Sequence, residues 1–506
     1  MACGTACGTR SRPPQRGRWA SVGGVVVLAG ALAGGGCGGS VPSGSLVLTQ
    51  TPVAMAAPAA DKDTLDARYP ASSRVVLVSP PFRPGDVRVL SKGLHAAGGP
   101  VVSPDGRRVF FSGKTDAASA WQVYEASLAG GRPRAVTAIA GGAMDAGIIA
   151  HGELVFCSPV PKLGQTWKRA NPAAIYAQRP GGAPRRLTFG ASAAVEPTVL
   201  ADGRILFVSA QPPAGDGAAL HLALFTVNND GTEVTAFAGQ HDGAALVHRP
   251  RELPDGQVAF LAANSDAPAD LLWAECVRTA NPFASRERLF SFPTSRCRSV
   301  EPGPEECLLA CFETRGLAGR SMSGSYAVYQ VPRNATALGA PLFDDPAWND
   351  IEATRVAPRP EPMGHVSAMQ PAKQTGTILC LNANFTSYRQ TDNADPPAAV
   401  KVRVLAGGCN GEGDSLSEAS LCADGSFMVE VPADRPLGFE ALDAQGQVLR
   451  RLPPMIWVRS GENHSCIGCH EPHNRSPRNV RPLAVSAPPA QLGARPTGLA
   501  LKKLSP

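Results

Sequence analysis

Apolar residues recur along the chain in short runs that are interrupted by Asp-Gly and other Gly-containing turns. The run PTVLADGRILFVSAQ, which begins at residue 197, contains a short strand, a turn and an apolar strand, an order typical of a β-hairpin. Similar runs begin at residues 100, 145, 250 and 298. Their turn positions are separated by 47, 50, 53 and 48 residues, and they are Asp105, Gly152, Asp202, Asp255 and Gly303. Such a regular period predicts a repeat fold.

A second hairpin follows the first in several repeats, as in WQVYEASLAGGRPRAVT at residue 121. Four strands in a period of about fifty residues correspond to one blade of a β-propeller. The repeats resemble those of the TolB and WD40-like propellers. We therefore predict an all-β chain with a six-bladed propeller over residues 73–345, and five or seven blades remain as alternatives.

The segments around the propeller differ from it in pattern. Residues 38–72 are small, polar and rich in Ala and Pro, which predicts a flexible tether, and residues 346–373 form a Pro-rich connector. Alternating apolar positions over residues 374–460 predict a small β-sandwich-like domain. Residues 461–482 carry the candidate chemistry, and we expect residues 483–506 to be disordered or loosely wrapped around the protein.

The first 37 residues have the pattern of an export signal, with an Arg-rich start, an uncharged apolar stretch and then Cys37. Cys37 follows small residues, as the lipidation site of a bacterial lipoprotein does, and simple cleavage is the alternative. In both cases we expect a periplasmic or membrane-anchored bacterial protein that contacts the membrane only through such a lipid. Outside the cytoplasm, disulfides and covalent haem can both form.

The net charge of +6 does not indicate a nucleic-acid partner, because ten basic residues lie in the leader and the tail, where acidic residues are absent. Without them, the core has 38 basic and 42 acidic residues, a balance of −4. We therefore predict no nucleic-acid binding.

Thirteen cysteines fit an exported protein. Cys276 and Cys297 flank one polar loop, and Cys409 and Cys422 flank another, so each pair is a candidate disulfide. Buried free thiols are the alternative for the other cysteines of the core.

The sequence GENHSCIGCHEPHNRSP contains the motif C-x-x-C-H, formed by Cys466, Cys469 and His470. Two thiols at this spacing can add to the two vinyl groups of one porphyrin, and the adjacent histidine can bind the iron. We predict one covalent haem c with His470 as an axial ligand. We expect the sandwich to shelter the haem through apolar side chains, which are Phe427, Phe439, Ile456 and Trp457.

His464 and His473 lie close to the motif and are the candidates for the second axial ligand of the iron. Their alternative role is that of polar residues beside an exposed haem edge. Zinc bound by the two cysteines, His470 and one of these histidines is the less favoured interpretation of the motif.

Residues 425–472, after a propeller and the connector sequence VAPRPEP, resemble the alpha subunit of hydrazine synthase and its relatives. The resemblance runs from about residue 73 to 482 and implies a six-bladed propeller beside a β domain that carries c-type haem. In the hydrazine-forming enzyme, a tyrosine four residues after the motif histidine binds iron, and the motif histidine binds zinc. Asn474 occupies the tyrosine position here, so we expect a conventional bond from His470 to iron and no hydrazine synthesis.

These observations favour an electron-transfer function, in which the propeller is a docking platform for a redox partner protein. A haem enzyme that acts on a small nitrogen or oxygen species is the first alternative. A propeller binding module with an accessory haem is the second.

Overall fold

A computed structural model of the chain describes residues 41–53, 68–160, 173–211, 221–239, 246–264, 272–290, 296–313, 325–333, 335–387, 397–407, 414–469, 471 and 475–491. Their regular structure consists of strands and two short 3-10 helices, Ala150–Gly152 and Leu483–Ser486. The all-β prediction is therefore confirmed. Within these ranges no helix is both long enough and apolar enough to cross a membrane. Several predictions concern residues outside the described ones, namely the signal peptide 1–37 with Cys37, and Cys409, His470 and His473.

Between residues 46 and 355, the described part of the chain contains short antiparallel strands joined by turns and loops. They are β1 Leu46–Pro52, β2 Arg74–Val78, β3 Val87–Val89, β4 Ala96–Val102, β5 Arg108–Lys114, β6 Gln122–Ser127, β7 Arg134–Ala135, β8 Met144–Ile148, β9 Leu154–Pro159, β10 Ala173–Gln178, β11 Arg185–Arg186, β12 Ala194–Val199, β13 Ile205–Gln211, β14 His221–Val227, β15 Thr235–Ala238, β16 Leu246–Glu252, β17 Gln257–Ala263, β18 Trp273–Arg278, β19 Glu287–Arg288, β20 Cys297–Pro302, β21 Cys307–Glu313, β22 Tyr326–Pro332 and β23 Trp348–Arg355.

These strands form six sheets, and each sheet is one blade. The sheet orders are β23-β1-β2-β3, β4-β5-β6-β7, β8 to β11, β12 to β15, β16 to β19, and β20-β21-β22. The first strands of these sheets contact one another in succession, and β20 contacts β23, so the blades close into a ring. The prediction of six blades is confirmed.

The ring is closed by strands from both ends of the propeller, which corrects two predicted boundaries. β1 lies in the predicted tether 38–72, and β23 lies in the predicted connector 346–373. The two strands pair antiparallel, with Gln50 opposite Asp350. The tether prediction was wrong here because Leu46–Pro52 is apolar enough to be buried, within a segment whose average composition is small and polar.

A second domain follows, with the strands β24 Thr375–Cys380, β25 Lys401–Ala406, β26 Asp414–Ser420, β27 Phe427–Pro432, β28 Leu437–Leu442, β29 Val448–Ile456 and β30 Asn463–Cys466. They form two sheets, β27-β24-β30 and β26-β25-β28-β29. Apolar side chains of both sheets share one core, in which the rings of Phe427 and Phe439 lie 6.1 Å apart. This arrangement confirms the predicted β-sandwich-like domain.

Two segments that were assigned outside this domain belong to it. β30, from the predicted haem segment, pairs in parallel with β24. After it, Ala490 forms an isolated bridge to Val429 of β27, and the Gln491 side chain donates a hydrogen bond to the Glu430 carboxylate. Of the two alternatives for the tail, disorder is therefore wrong as far as residue 491, where the described chain ends, whereas a wrapped tail agrees with these contacts.

Candidate functional site

The first cysteine of the motif is held in place by the sheet of the second domain. Cys466 is the last residue of β30 and lies opposite Cys380 of β24 in the parallel pairing. The backbone N–H of Leu381 donates a hydrogen bond to the Cys466 carbonyl over 2.9 Å. Cys466 is half-buried and packs against the sandwich core, and this hydrogen bond fixes its backbone.

The turn between the two cysteines depends on a glycine. A Cβ atom on Gly468 would lie 2.1 Å from the carbonyl oxygen of Phe385, so only glycine allows this close approach. The N–H of Asn382 donates to the Ile467 carbonyl over 3.3 Å. Cys469 at the end of the turn is half-buried, and both motif thiols are free. Two free thiols on a tight, anchored turn fit the donor set that attaches a c-type haem.

A third thiol lies beside the motif. Cys380 is 2% exposed, and burial raises the pKa of its thiol, as do the neighbouring Cys466 and Cys469. Burial also raises the pKa of Cys469, and the Arg450 guanidinium opposes this shift. Since the thiolate is the reactive form of cysteine, burial makes the Cys380 thiol unreactive. Sequence reasoning did not connect Cys380 with the motif, because the two lie 86 residues apart, as counted to Cys466.

His464, a predicted candidate for the second iron ligand, lies on the same face of β30 as Cys466, because side chains two residues apart share a face. Its side chain is buried, and its Nδ1 atom lies 3.5 Å from Oε1 of Glu462 and 3.8 Å from Oε2 of Glu233. Burial disfavours the charged ring, but interactions with Cys466 and the Glu462 carboxylate outweigh it and raise the pKa of His464 to about 10. The Nδ1 side of the ring therefore faces carboxylates.

The segment that leads into β30 is anchored on the propeller. Trp457 is 3% exposed, packs in an apolar cluster of the third and fourth blades, and donates its indole N–H to the Gly231 carbonyl over 2.9 Å. The Arg459 guanidinium lies 4.8 Å from the ring centre of Phe189 and donates to the Asp434 carboxylate over 2.6 Å. Gly231 belongs to residues 228–233, the loop between β14 and β15, so this loop contacts the segment before the motif.

This anchoring corrects one part of the predicted haem shelter. Trp457 was expected to cover a haem, but its indole is enclosed by the propeller. Phe427 and Phe439 are buried in the sandwich core, and Cys466 packs against the same core. The physical reason is that β29 ends at Ile456, and the chain then crosses to the propeller before it returns as β30.

The centre of the propeller contains a separate network of charged residues. Asp145, Glu196, Arg249 and Glu352 all have positive φ values at bulges in innermost strands, which turn their side chains towards the central channel. Arg68 pairs with Asp145 at 3.0 Å and with Glu196 at 2.9 Å, and Arg249 pairs with Glu352 at 2.9 Å. Burial opposes ionisation of Glu196 and Glu352, but the nearby cations keep the pKa of both carboxyls low. We interpret this paired network as structural.

The predicted disulfide between Cys276 and Cys297 is not formed. Both are buried free thiols, and they belong to β18 and β20 in different blades. The Cys276 sulfur contacts the Glu287 carboxylate at 3.8 Å, and the Cys297 sulfur contacts the Ser299 carbonyl at 3.6 Å. Both residues line one apolar cluster, but their sulfurs face different partners, so proximity along the chain did not predict a bond between them. Since Cys409 lies outside the described residues, the Cys409–Cys422 disulfide stays a prediction.

Comparison with known proteins bears on the same region. Residues 411–471 match the family model of the hydrazine synthase alpha subunit middle domain. The solved structure of Kuenenia stuttgartiensis hydrazine synthase matches with a TM-score of 0.76 and 16% identity, over 88% of this chain and 72% of that chain. The chain therefore resembles the hydrazine synthase alpha subunit. The resemblance stated from the sequence is thereby confirmed, and at this identity the structural match concerns the fold.

The hydrazine synthase alpha-like chain also matches more distant structures. TolB from Acinetobacter baumannii matches with a TM-score of 0.41 and 13% identity, over 60% of this chain and 66% of that chain. A putative TolB from Agrobacterium tumefaciens has a TM-score of 0.35 and 19% identity, over 50% and 90% of the respective chains. A search of curated protein sequences found no match.

Proposed function

We propose that this protein is an exported mono-haem electron carrier, with one haem c bound covalently through Cys466 and Cys469 and ligated by His470. The observation that carries the proposal is the pair of free, half-buried thiols at the end of β30, joined by a turn that requires Gly468. When bound, the haem supplies a centre that accepts and releases one electron. The role of the chain is to position it.

Exposure and rigidity both support electron transfer. Ile467, between the two cysteines, is 44% exposed, so a porphyrin attached there has an edge at the surface. The motif backbone is hydrogen bonded to the segment after β24, which limits its movement when the charge of the haem changes. The propeller beside it offers a docking surface for a redox partner. We propose the periplasm as the location, with Cys37 as a lipid anchor if it is not removed.

A second candidate function is a haem enzyme that acts on a small nitrogen or oxygen species. Its support is the likeness to the Kuenenia stuttgartiensis hydrazine synthase fold over 88% of this chain. Asn474 at the position of the iron-binding tyrosine argues against hydrazine formation itself. The two candidates differ in the second axial position of the iron, which is filled in the carrier and open in the enzyme.

The test is expression of the full chain with a cytochrome c maturation system. We expect haem staining that survives denaturation and is lost in Cys466→Ser combined with Cys469→Ser. Cys380→Ser is the matched control, because Cys380 adjoins the motif without belonging to it, and it should keep the haem. A low-spin, six-coordinate spectrum supports the carrier, whereas a reduced high-spin form that binds CO supports the enzyme. Absence of covalent haem from the wild-type chain would refute both.

A further inference from the structure

Three residues with metal-binding side chains meet where the propeller contacts the segment before the motif. Glu233 belongs to the propeller loop 228–233, whereas Glu462 immediately precedes β30 and His464 lies within it. One ligand atom from each residue lies within 4.8 Å of the other two. Because the three residues come from two domains, no local sequence pattern reveals the group.

The buried nitrogen of His464 points into this group. Its Nδ1 atom has no hydrogen-bond partner among the residues that the structure describes. The His464 side chain is only 8% exposed, and Nδ1 lies 3.5 Å from Glu462 and 3.8 Å from Glu233. A buried polar atom without a hydrogen-bond partner is uncommon, and here it faces two carboxylates, with which it forms a set of ligand atoms.

We propose that Glu233, Glu462 and His464 bind one divalent transition-metal ion of the Zn²⁺ class. Imidazole nitrogen and carboxylate oxygen are ordinary zinc ligands, and bonds of about 2.0–2.1 Å in a tetrahedron separate ligand atoms by about 3.3–3.4 Å. The two separations that involve His464 are 3.5 and 3.8 Å, and the third, between the two carboxylates, is within 4.8 Å, so the ligand atoms must move closer together on binding. The metal would displace the proton that the carboxylates favour on His464, and two carboxylates with the neutral imidazole then balance the double positive charge.

The Glu462 carboxylate is already oriented for this role. Its Oε1 atom accepts a hydrogen bond from the Glu233 N–H over 2.8 Å, and its Oε2 atom accepts one from the Arg459 N–H over 2.7 Å. Such outer contacts fix the direction of a ligand before the metal arrives. The Glu233 side chain is 52% exposed, so the ion can enter from solvent on that side. Three protein ligands leave a fourth position of the tetrahedron for water.

None of the three proposed ligands is a thiol of the motif, although the His464 side chain also interacts with Cys466. The test therefore uses the full chain with Cys466→Ser and Cys469→Ser, which removes the competing thiol ligands. Co²⁺ is titrated by its visible absorption and Zn²⁺ by calorimetry. We expect one equivalent of each to bind, with affinity at least ~100-fold weaker in His464→Gln and in Glu462→Gln, since outer-shell changes alone cost 10–100-fold.

The matched control is His248→Gln. His248 is also buried, and its unpartnered Nδ1 lies 3.6 Å from the Glu196 carboxylate, but Arg68 already pairs with that carboxylate. Zn²⁺ affinity should be unchanged in this variant. If His464→Gln does not fold, Glu233→Gln is the test variant, because the Glu233 side chain is exposed and its replacement should not prevent folding. This variant should weaken metal binding at least ~10-fold. Absence of stoichiometric binding, or unchanged affinity in the ligand variants, would mean that His464 only forms ion pairs.

Discussion

Replacement of Trp457 tests whether the propeller holds the motif segment. The indole is 3% exposed, and its N–H donates to the buried Gly231 carbonyl over 2.9 Å. Trp457→Phe keeps most of the apolar contact but leaves that carbonyl unpaired, at a cost of about 1–3 kcal/mol. Trp457→Ala also opens a cavity, and a truncation of this kind costs about 3–5 kcal/mol. The latter loss is a large share of the roughly 5–15 kcal/mol that holds a typical domain folded.

The assay is urea unfolding followed by circular dichroism, with trypsin cleavage after Lys373 as a measure of domain separation. Lys373 is exposed in the connector, where its N–H donates to the Gln370 carbonyl and the Gln370 N–H donates to the Ser460 carbonyl. We expect faster cleavage in Trp457→Ala, because loss of the anchor frees the segment that holds this turn.

Trp273→Phe is the matched control, because this half-buried indole also donates one hydrogen bond, to Glu275 over 2.6 Å. Glu275 keeps a second partner in Arg286 at 2.6 Å, so the cost should be about 0.5–1.5 kcal/mol, without faster cleavage. Equal urea midpoints for wild type and Trp457→Ala would refute the anchoring argument.

Two further predictions concern the ring closure and the motif turn. Burial raises the pKa of Asp350 from 3.8 to about 8, so its contribution to stability is full below about pH 4 and is lost as the pH rises towards 8. In Asp350→Asn, the free energy of unfolding measured in urea should decline less steeply with pH, by up to about 1.4 kcal/mol per pH unit. Parallel pH profiles of this variant and the wild type would contradict the raised pKa of Asp350. Gly468→Ala should lower the yield of covalent haem several-fold, because its Cβ would meet the Phe385 carbonyl at 2.1 Å. Gly364→Ala, with no heavy atom within 4 Å of its Cβ, should leave the yield unchanged, and an unchanged yield in both would rule out the steric explanation.

The number of blades was predictable because it depends on local signals. Each hairpin repeats an apolar strand and a turn whose glycine takes a left-handed conformation, as Gly106, Gly203 and Gly256 do with φ values of 69°, 88° and 76°. Such turns mark the period of the fold without reference to any distant contact. The C-x-x-C-H motif was recognisable for the same reason, since its residues are adjacent in sequence.

The ring closure and the metal-binding group were not predictable in this way, because their partners are far apart in the chain. Gln50 and Asp350 are separated by 300 residues, and Glu233 and Glu462 by 229. Neither segment of such a pair has a sequence pattern that indicates its partner. The Cys276–Cys297 prediction shows the converse error, since two cysteines that are close in sequence belong to different blades.

The contacts of loop 228–233 connect the propeller directly to the segment before the motif. The Asp230 carbonyl accepts a hydrogen bond from the Arg459 guanidinium, the Gly231 carbonyl accepts one from Trp457, and the Glu233 N–H donates to Glu462. These three contacts fall on six residues, 457–462, that connect the sandwich core to β30. The same stretch leads directly into β30, which ends at Cys466, so it connects the propeller loop with the motif. If the proposed haem is bound at the motif, these contacts fix its point of attachment relative to the propeller.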